Sequence, residues 1–220
     1  MRTKETIKLI LADDHILLRD ALAKLINNFD ECSVIATAGN GEEVKLALEK
    51  GSHPDIILMD LNMPVTDGYE TAKWLKQNHP GIKVLILTMY DGEIVLIRLL
   101  QAGVNGFLKK DIHPSELREA LITVAGGDYY YSNHTTGKIA SLFFKNQNNQ
   151  SALEKSTFTE TEIEFLKLAS TDMTYKEIAH TMSLTPRNID SYRDTLFEKL
   201  DVKSRVGLAI YAIKSGIVVL

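Results

Sequence analysis

Four short apolar runs in the first half of the chain end in polar residues of the kinds that chemistry uses: Asp13-Asp14, Asp60, Thr88 and Lys109-Lys110. Three carboxylates drawn close together repel one another and need a cation. Oxygen ligation without a His or Cys partner favours Mg²⁺, which keeps several waters and takes carboxylates plus a substrate phosphate. A lysine and a hydroxyl beside carboxylates and Mg²⁺ suit phosphoryl transfer, which needs charge neutralisation more than covalent machinery. An aspartate can itself accept the phosphoryl group. Taken singly, each residue has a plainer reading: Asp13-Asp14 as a helix cap, Thr88 as a β-branched strand residue, Asp60 as a loop aspartate. Only their joint placement makes a site.

That placement depends on the elements that carry them. Apolar runs predict strands over 8–12, 33–38, 55–59, 83–88 and 106–108. Between and after them lie amphipathic helical patterns over 15–28, 41–50, 67–78, 91–102 and 114–125. Strands alternating with helices predict an α/β fold, a doubly wound, flavodoxin-like parallel sheet of five strands covered on both faces. Ligands in such sheets bind beyond the carboxyl ends of the strands, where all the polar residues named above fall.

Gly126-Gly127 closes the fifth helix, after which the strand rhythm stops. A short helix over 134–144 and the polar run Asn146-Gln-Asn-Asn-Gln-Ser151 read as a connecting segment. The expected division is therefore a phosphoacceptor unit over 1–126, a linker over 127–155 and a small all-α unit over 156–220. In the last of these, Thr159-x-x-Glu162 and Thr174-x-x-Glu177 are capping boxes that open apolar-periodic segments. Thr185-Pro186 opens a third helix, and a fourth starts after Ser204.

The segments 174–182 and 186–200, with Ser183-Leu184-Thr185 as the turn, have the shape of a helix-turn-helix, whose second helix lies in the major groove of DNA. On that helix Ile189, Tyr192, Leu196 and Leu200 share a face that packs inward. Arg187, Ser191, Asp194 and Glu198 point the other way, flanked by Asn188 and Asp190. Arg187, Asn188 and Ser191, near the helix start, are candidates for base contacts. Arg193, Lys199 and Lys203 are better placed for phosphates. Asp190 and Asp194 can accept from cytosine N4, trading generic affinity for selectivity. The last 70 residues hold nine basic against ten acidic side chains, so a DNA footprint must come from local clustering of Arg187, Arg193, Lys199, Lys203 and Arg205.

Composition narrows the compartment. The 220 residues are 45% apolar and 25% charged with a net charge of −4, as in soluble globular proteins. The apolar run near the start is too short for a signal peptide, and none is long enough to cross a bilayer. Cys32 is the only cysteine and reads as core filler. The expected location is a reducing cytoplasm, with no membrane partner.

The motifs also carry a resemblance. Leu9-Ile-Leu-Ala-Asp13-Asp14-His15, Ile57-Leu-Met-Asp60-Leu-Asn-Met63-Pro64-x-x-Asp67-Gly68, Leu87-Thr88-Met-Tyr and Gly106-Phe107-Leu-Lys-Lys110-Asp resemble the receiver domain of two-component response regulators, over about residues 5–126. The resemblance implies that Asp60 is the phosphoacceptor and that Asp14, Asp60 and the Asn62 carbonyl ligate Mg²⁺, with Asp13 acting through water. It implies that Thr88 and a lysine hold the phosphoryl oxygens and that Phe107 is a switch aromatic. The spacing of that aromatic points to Lys110, with Lys109 as the alternative. Asp111 after the lysine resembles the NarL/FixJ group. Tyr90 could lean over the acyl phosphate and slow its hydrolysis.

Phe158-Thr-Glu-Thr-Glu162, Met173-Thr-Tyr-Lys-Glu177-Ile178-Ala179, Ile189-Asp-Ser-Tyr-Arg193 and Lys199-Leu200-x-Val202-Lys-Ser204-Arg205 are similar to the LuxR/NarL-type DNA-binding domain. The chain departs from that pattern at Asp190, where lysine or asparagine is common. Together the resemblances imply a response regulator and not an enzyme. It would be phosphorylated by a sensor histidine kinase, bind promoter DNA and form a homodimer when phosphorylated. A phosphorylation-independent regulator and a Mg²⁺-dependent aspartyl phosphatase are the rivals. Such phosphatases space nucleophile and acid two residues apart and carry a cap domain, and neither feature is present here.

Overall fold

The structure is a computed structural model that describes residues 6–89, 93–131, 158–215 and 217–218. The chain divides into two compact units. In the first, strands β1 (Ile7–Ala12), β2 (Cys32–Ala38), β3 (Ile56–Asp60), β4 (Lys83–Thr88), β5 (Gly106–Lys109) and β6 (Tyr130–Tyr131) form one sheet in the order β2-β1-β3-β4-β5-β6. All its pairings are parallel. Helices α1 (Ile16–Asn27), α2 (Gly41–Glu49), α3 (Gly68–Asn78), α4 (Glu93–Ala102) and α5 (Pro114–Ala125) follow strands β1 to β5.

The central strands are apolar on both faces because both are covered. Leu9, Leu11, Leu58, Leu85, Leu87 and Leu108 join Ile26 of α1 and Leu117, Leu121 and Val124 of α5 in one buried cluster. Alternating with them, Ile10, Ile57, Met59, Ile86 and Phe107 are buried on the opposite face. Cys32 is buried in the α1–α5 cluster, which fits its reading as core filler.

The sheet has six strands where five were expected. The sixth, Tyr130–Tyr131, lies in the segment assigned to the linker and pairs with β5, Gly106 opposite Tyr130 and Phe107 opposite Tyr131. Two residues are too few to display an alternating pattern, so the sequence gives no strand signal there. Gly127, at φ 96°, turns the chain back after α5. Gly106 leaves room for the added strand: a Cβ there would lie 2.8 Å from the Tyr130 carbonyl oxygen and 2.5 Å from Leu85 Cδ1. The expected helix over 134–144, the polar run 146–151 and Tyr90 lie outside the described residues.

The second unit holds α6 (Glu160–Ala169), α7 (Tyr175–Thr181), α8 (Pro186–Leu200) and α9 (Arg205–Lys214). Both expected capping boxes form, Thr159 with Glu162 and Thr174 with Glu177. Thr185 caps α8 by accepting from the Asn188 amide, with Pro186 in the first turn, and Ser204 caps α9. Ile163, Phe165, Leu166, Ile178, Ile189, Leu196 and Leu208 meet in one core. Tyr192 packs against it, its ring stacked 6.5 Å from that of Phe165. Arg205 donates to the carbonyls of Ala169 (2.9 Å) and Thr171 (2.8 Å), satisfying the open end of α6. No helix among the described residues is long and apolar enough to cross a membrane.

Candidate functional site

Strand register gathers the polar residues. Ala12 stands opposite Met59, so Asp13 emerges beside Asp60. Asp60, the last residue of β3, stands opposite Leu87, so Thr88 is one strand away and one residue further. Thr88 in turn is opposite Lys109, and the Lys110 amide donates to the Thr88 carbonyl at 2.9 Å. The residue after the strand end is therefore the one aimed into the site.

Lys110 is the central cation. Its ammonium donates to Asp13 Oδ2 and to Asp60 Oδ2, each at 2.8 Å, and all three side chains are less than a tenth exposed. Lys109 turns away and pairs with exposed Asp111 at 3.7 Å. Of the two adjacent lysines, Lys110 is the one that reaches the carboxylates. Asp13 also accepts from the His15 amide (2.8 Å), and Arg19 holds the Asp13 carbonyl at 2.7 Å. Arg19 has no motif of its own; only the fold of α1 back onto β1 brings it there.

Two buried carboxylates share one ammonium, leaving a net negative charge. Burial pushes the Asp60 carboxyl above its ordinary 3.8, against the hydrogen bond and charge of Lys110; the Asp13 charge adds to the rise, and the Asn62 amide opposes it. Burial alone would lower the Lys110 ammonium. Its hydrogen bonds to Asp13 and Asp60 outweigh that and hold it above 10.5. Asp13, Asp14, His15 and Asp60 each offer one ligand atom, all within 4.8 Å of one another. Asp14 is the more open of the aspartates and pairs with the His15 ring at 2.9 Å. An oxygen-rich cluster with surplus negative charge is a fitting place for a hard divalent cation.

The loop after β3 explains the Met63-Pro64-x-x-Asp67-Gly68 spacing. Asp67 caps α3 by accepting from the Glu70 amide at 2.9 Å, and the Gly68 amide donates to the Leu61 carbonyl at 2.8 Å. A Cβ on Gly68 would lie 2.3 Å from the Asp60 carbonyl oxygen, so only glycine lets α3 start this close to the strand end. Gly68→Ala is expected to cost about 1–3 kcal/mol through overpacking. Chemical denaturation measures it, and a change below about 0.5 kcal/mol would mean that the backbone has room to spare. Thr88 is fully buried at the strand end, and Phe107 is turned into the core with 1% exposure.

In the helical unit, α8 exposes Arg187, Asn188, Asp190, Ser191 and Asp194. Lys203, beyond its end, is exposed as well. Lys199 is not. Its ammonium lies 3.0 Å from Glu162 and 4.5 Å from the centre of the Phe158 ring, with 11% of its side chain exposed. Lys199, expected at a phosphate, is paired here with Glu162 and ties the end of α8 to the start of α6. Its angular position beside the buried stripe was the available signal. Arg193 is also engaged, bound to both Asp190 and Asp194.

Comparison with known proteins agrees with both units. Residues 9–122 match the model of the response regulator receiver domain, and residues 156–212 match that of bacterial regulatory proteins of the luxR family. The chain is 32% identical over 212 residues to the response regulator GacA of Pseudomonas syringae pv. syringae (strain B728a), covering 96% of this chain and 98% of that protein. It is 33% identical over 219 residues to the transcriptional regulatory protein LnrK of Bacillus subtilis (strain 168), covering 96% and 98%. Among solved structures, RcsB from Salmonella enterica serovar Typhimurium, bound to promoter rprA in the presence of phosphomimetic BeF3-, superposes with a TM-score of 0.68 at 20% identity, covering 94% and 98%, a likeness of fold. The acidic edge and the capped helix-turn-helix thus sit in matched domains of known type, and the chain belongs to the response regulators, with a receiver domain followed by a DNA-binding domain of the LuxR family.

Proposed function

We propose that Asp60 of this response regulator accepts a phosphoryl group from a sensor histidine kinase in the cytoplasm, and that the modified protein dimerises and regulates transcription at promoter DNA through α8. The observation that carries the reading is the buried bridge of Lys110 between Asp13 and Asp60. A carboxylate oxygen of Asp60 attacks phosphorus, the bond from phosphorus to the donor breaks, and an acyl phosphate results. Lys110 neutralises charge on the transferring group, and the Thr88 hydroxyl donates to a phosphoryl oxygen. Asp14, Asp60 and the Asn62 carbonyl would hold Mg²⁺, with Asp13 acting through water. The ion supplies charge neutralisation at the phosphoryl oxygens.

Phe107 is already in the inward position, so phosphorylation is read as favouring this arrangement over an outward one and remodelling the face formed by α4, β5 and α5. The receiver is taken as residues 1–126, the linker as 127–155 and the DNA-binding domain as 156–220. Arg187, Asn188 and Ser191 are the base-contact candidates, and Lys203 a phosphate contact. Acetyl phosphate with Mg²⁺ is expected to add one phosphoryl mass to the whole protein and to raise its affinity for a duplex selected from random sequence. EDTA should prevent both. A full phosphoryl gain without change in DNA affinity or in oligomeric state would overturn the coupling.

A further inference from the structure

We propose that Asp190 and Asp194 clamp Arg193 on α8, and that this clamp makes the recognition helix selective for duplexes presenting cytosine amino groups in the major groove. The inference rests on the reading of α8 as the helix that enters the groove.

Three contacts define the clamp. Arg193 Nη1 lies 2.9 Å from Asp190 Oδ1, Nη2 lies 2.8 Å from Asp194 Oδ1, and Nε donates to the same Asp194 oxygen at 2.9 Å. The guanidinium also lies 5.6 Å from the centre of the Tyr175 ring on α7. A single exposed ion pair is weak. Here one planar group is held by two carboxylates and packed over a ring, so several weak contacts must be given up together before it can reach a phosphate. The carboxylates are 57% and 65% exposed, the guanidinium 28%. The acid therefore faces outward and the base is drawn back. Lys199 is withdrawn as well, which leaves Arg187, among the described residues, as the cation of α8 outside these ion pairs.

Such a helix is poorly built for generic DNA affinity, which comes from releasing phosphate counterions with free lysine and arginine. It is better built to discriminate. In the major groove guanine offers two acceptors, thymine an acceptor and a methyl group, and adenine a donor beside an acceptor. All three set an acceptor against a carboxylate. Cytosine offers its N4 donor without one. On a duplex with cytosine in register, the carboxylates turn to N4, the clamp opens, and Arg193 becomes free for the backbone. On other sequences the carboxylates repel and Arg193 stays held.

The test uses the full chain, wild type and variants, with a duplex selected by the wild type from random sequence and a scrambled duplex of equal composition, titrated over a range of salt. Asp194→Asn and Asp190→Asn are expected to raise affinity for the scrambled duplex about tenfold and to steepen the slope of log K against log salt by about 0.9, one phosphate contact. Affinity for the selected duplex should rise less. Adding Arg193→Gln to Asp194→Asn should cancel the steepening. Selection repeated with Asp194→Asn should lose cytosine at one position. An unchanged ratio between the two duplexes in both aspartate variants, with wild-type thermal melts, would overturn the clamp while leaving DNA recognition standing. A wild type that prefers no sequence would remove the recognition reading and the clamp with it.

Discussion

Asp60→Asn is expected to gain no phosphoryl mass from acetyl phosphate and Mg²⁺ under conditions that modify the wild type completely. The amide keeps the shape of the carboxylate and lacks the anionic oxygen that must form the new bond. Asp13 keeps its contacts with Lys110 and the His15 amide, and Asp14 its pair with the His15 ring, so the substitution removes one anionic oxygen and leaves the rest of the cluster in place. Intact-mass measurement reads the result directly, and a mutant that takes up the same mass as the wild type would move the acceptor elsewhere.

The same substitution carries a second, opposite expectation for stability. Without Mg²⁺, two buried carboxylates share one ammonium, and neutralising one removes the surplus charge while leaving Lys110 paired with Asp13. The sign follows from the shifted acid. The Asp60 carboxyl is held above its ordinary 3.8 in the folded protein, so it binds its proton more readily there than in the unfolded chain. Its contribution is whole below the ordinary value and is lost as pH rises through the folded one. The metal-free mutant should therefore melt higher than the wild type at neutral pH, and the gap should close in acid. A mutant that melts lower at neutral pH would mean that Asp60 serves as a structural partner of Lys110 first.

Lys110→Ala is expected to destabilise the receiver by about 3–5 kcal/mol in the absence of divalent cation. Removing one partner from a buried ionic group strands the others, here two carboxylates. Because the Lys110 ammonium is held above its ordinary 10.5, its contribution is present in full at neutral pH and is lost only as alkali titrates it. Lys109→Ala should stay within about 0.5 kcal/mol, since its pair with Asp111 is solvent-exposed. Millimolar Mg²⁺ should stabilise Lys110→Ala more than wild type, because a divalent cation then faces two uncompensated carboxylates. Denaturant titrations of both variants with and without Mg²⁺ measure this. Equal losses for the two lysines would show that the bridge contributes nothing to the fold.

Much of this was legible in the sequence because periodicity and chemistry spoke together. Apolar runs alternating with amphipathic segments determined the parallel sheet, and polar residues at successive run ends determined which edge would carry the site. Capping boxes at Thr159 and Thr174 and the Thr185-Pro186 start located three helices of the second unit, because capping depends only on residues within one turn.

What the tertiary structure decided involves partners far apart in the chain. Lys109 and Lys110 have the same chemistry and adjacent positions. Pairing of Thr88 with Lys109 aims the next residue into the site, and no local pattern encodes that register. Lys199 lies on a helix edge that could have faced DNA, and it turned inward because Glu162, 37 residues earlier, offered a buried carboxylate. The sixth strand exists because β5 had an open edge for the chain to fill, whereas its own two residues carry no alternation. Charge and hydrogen-bonding capacity are properties of a residue, and which partner satisfies them is a property of the fold.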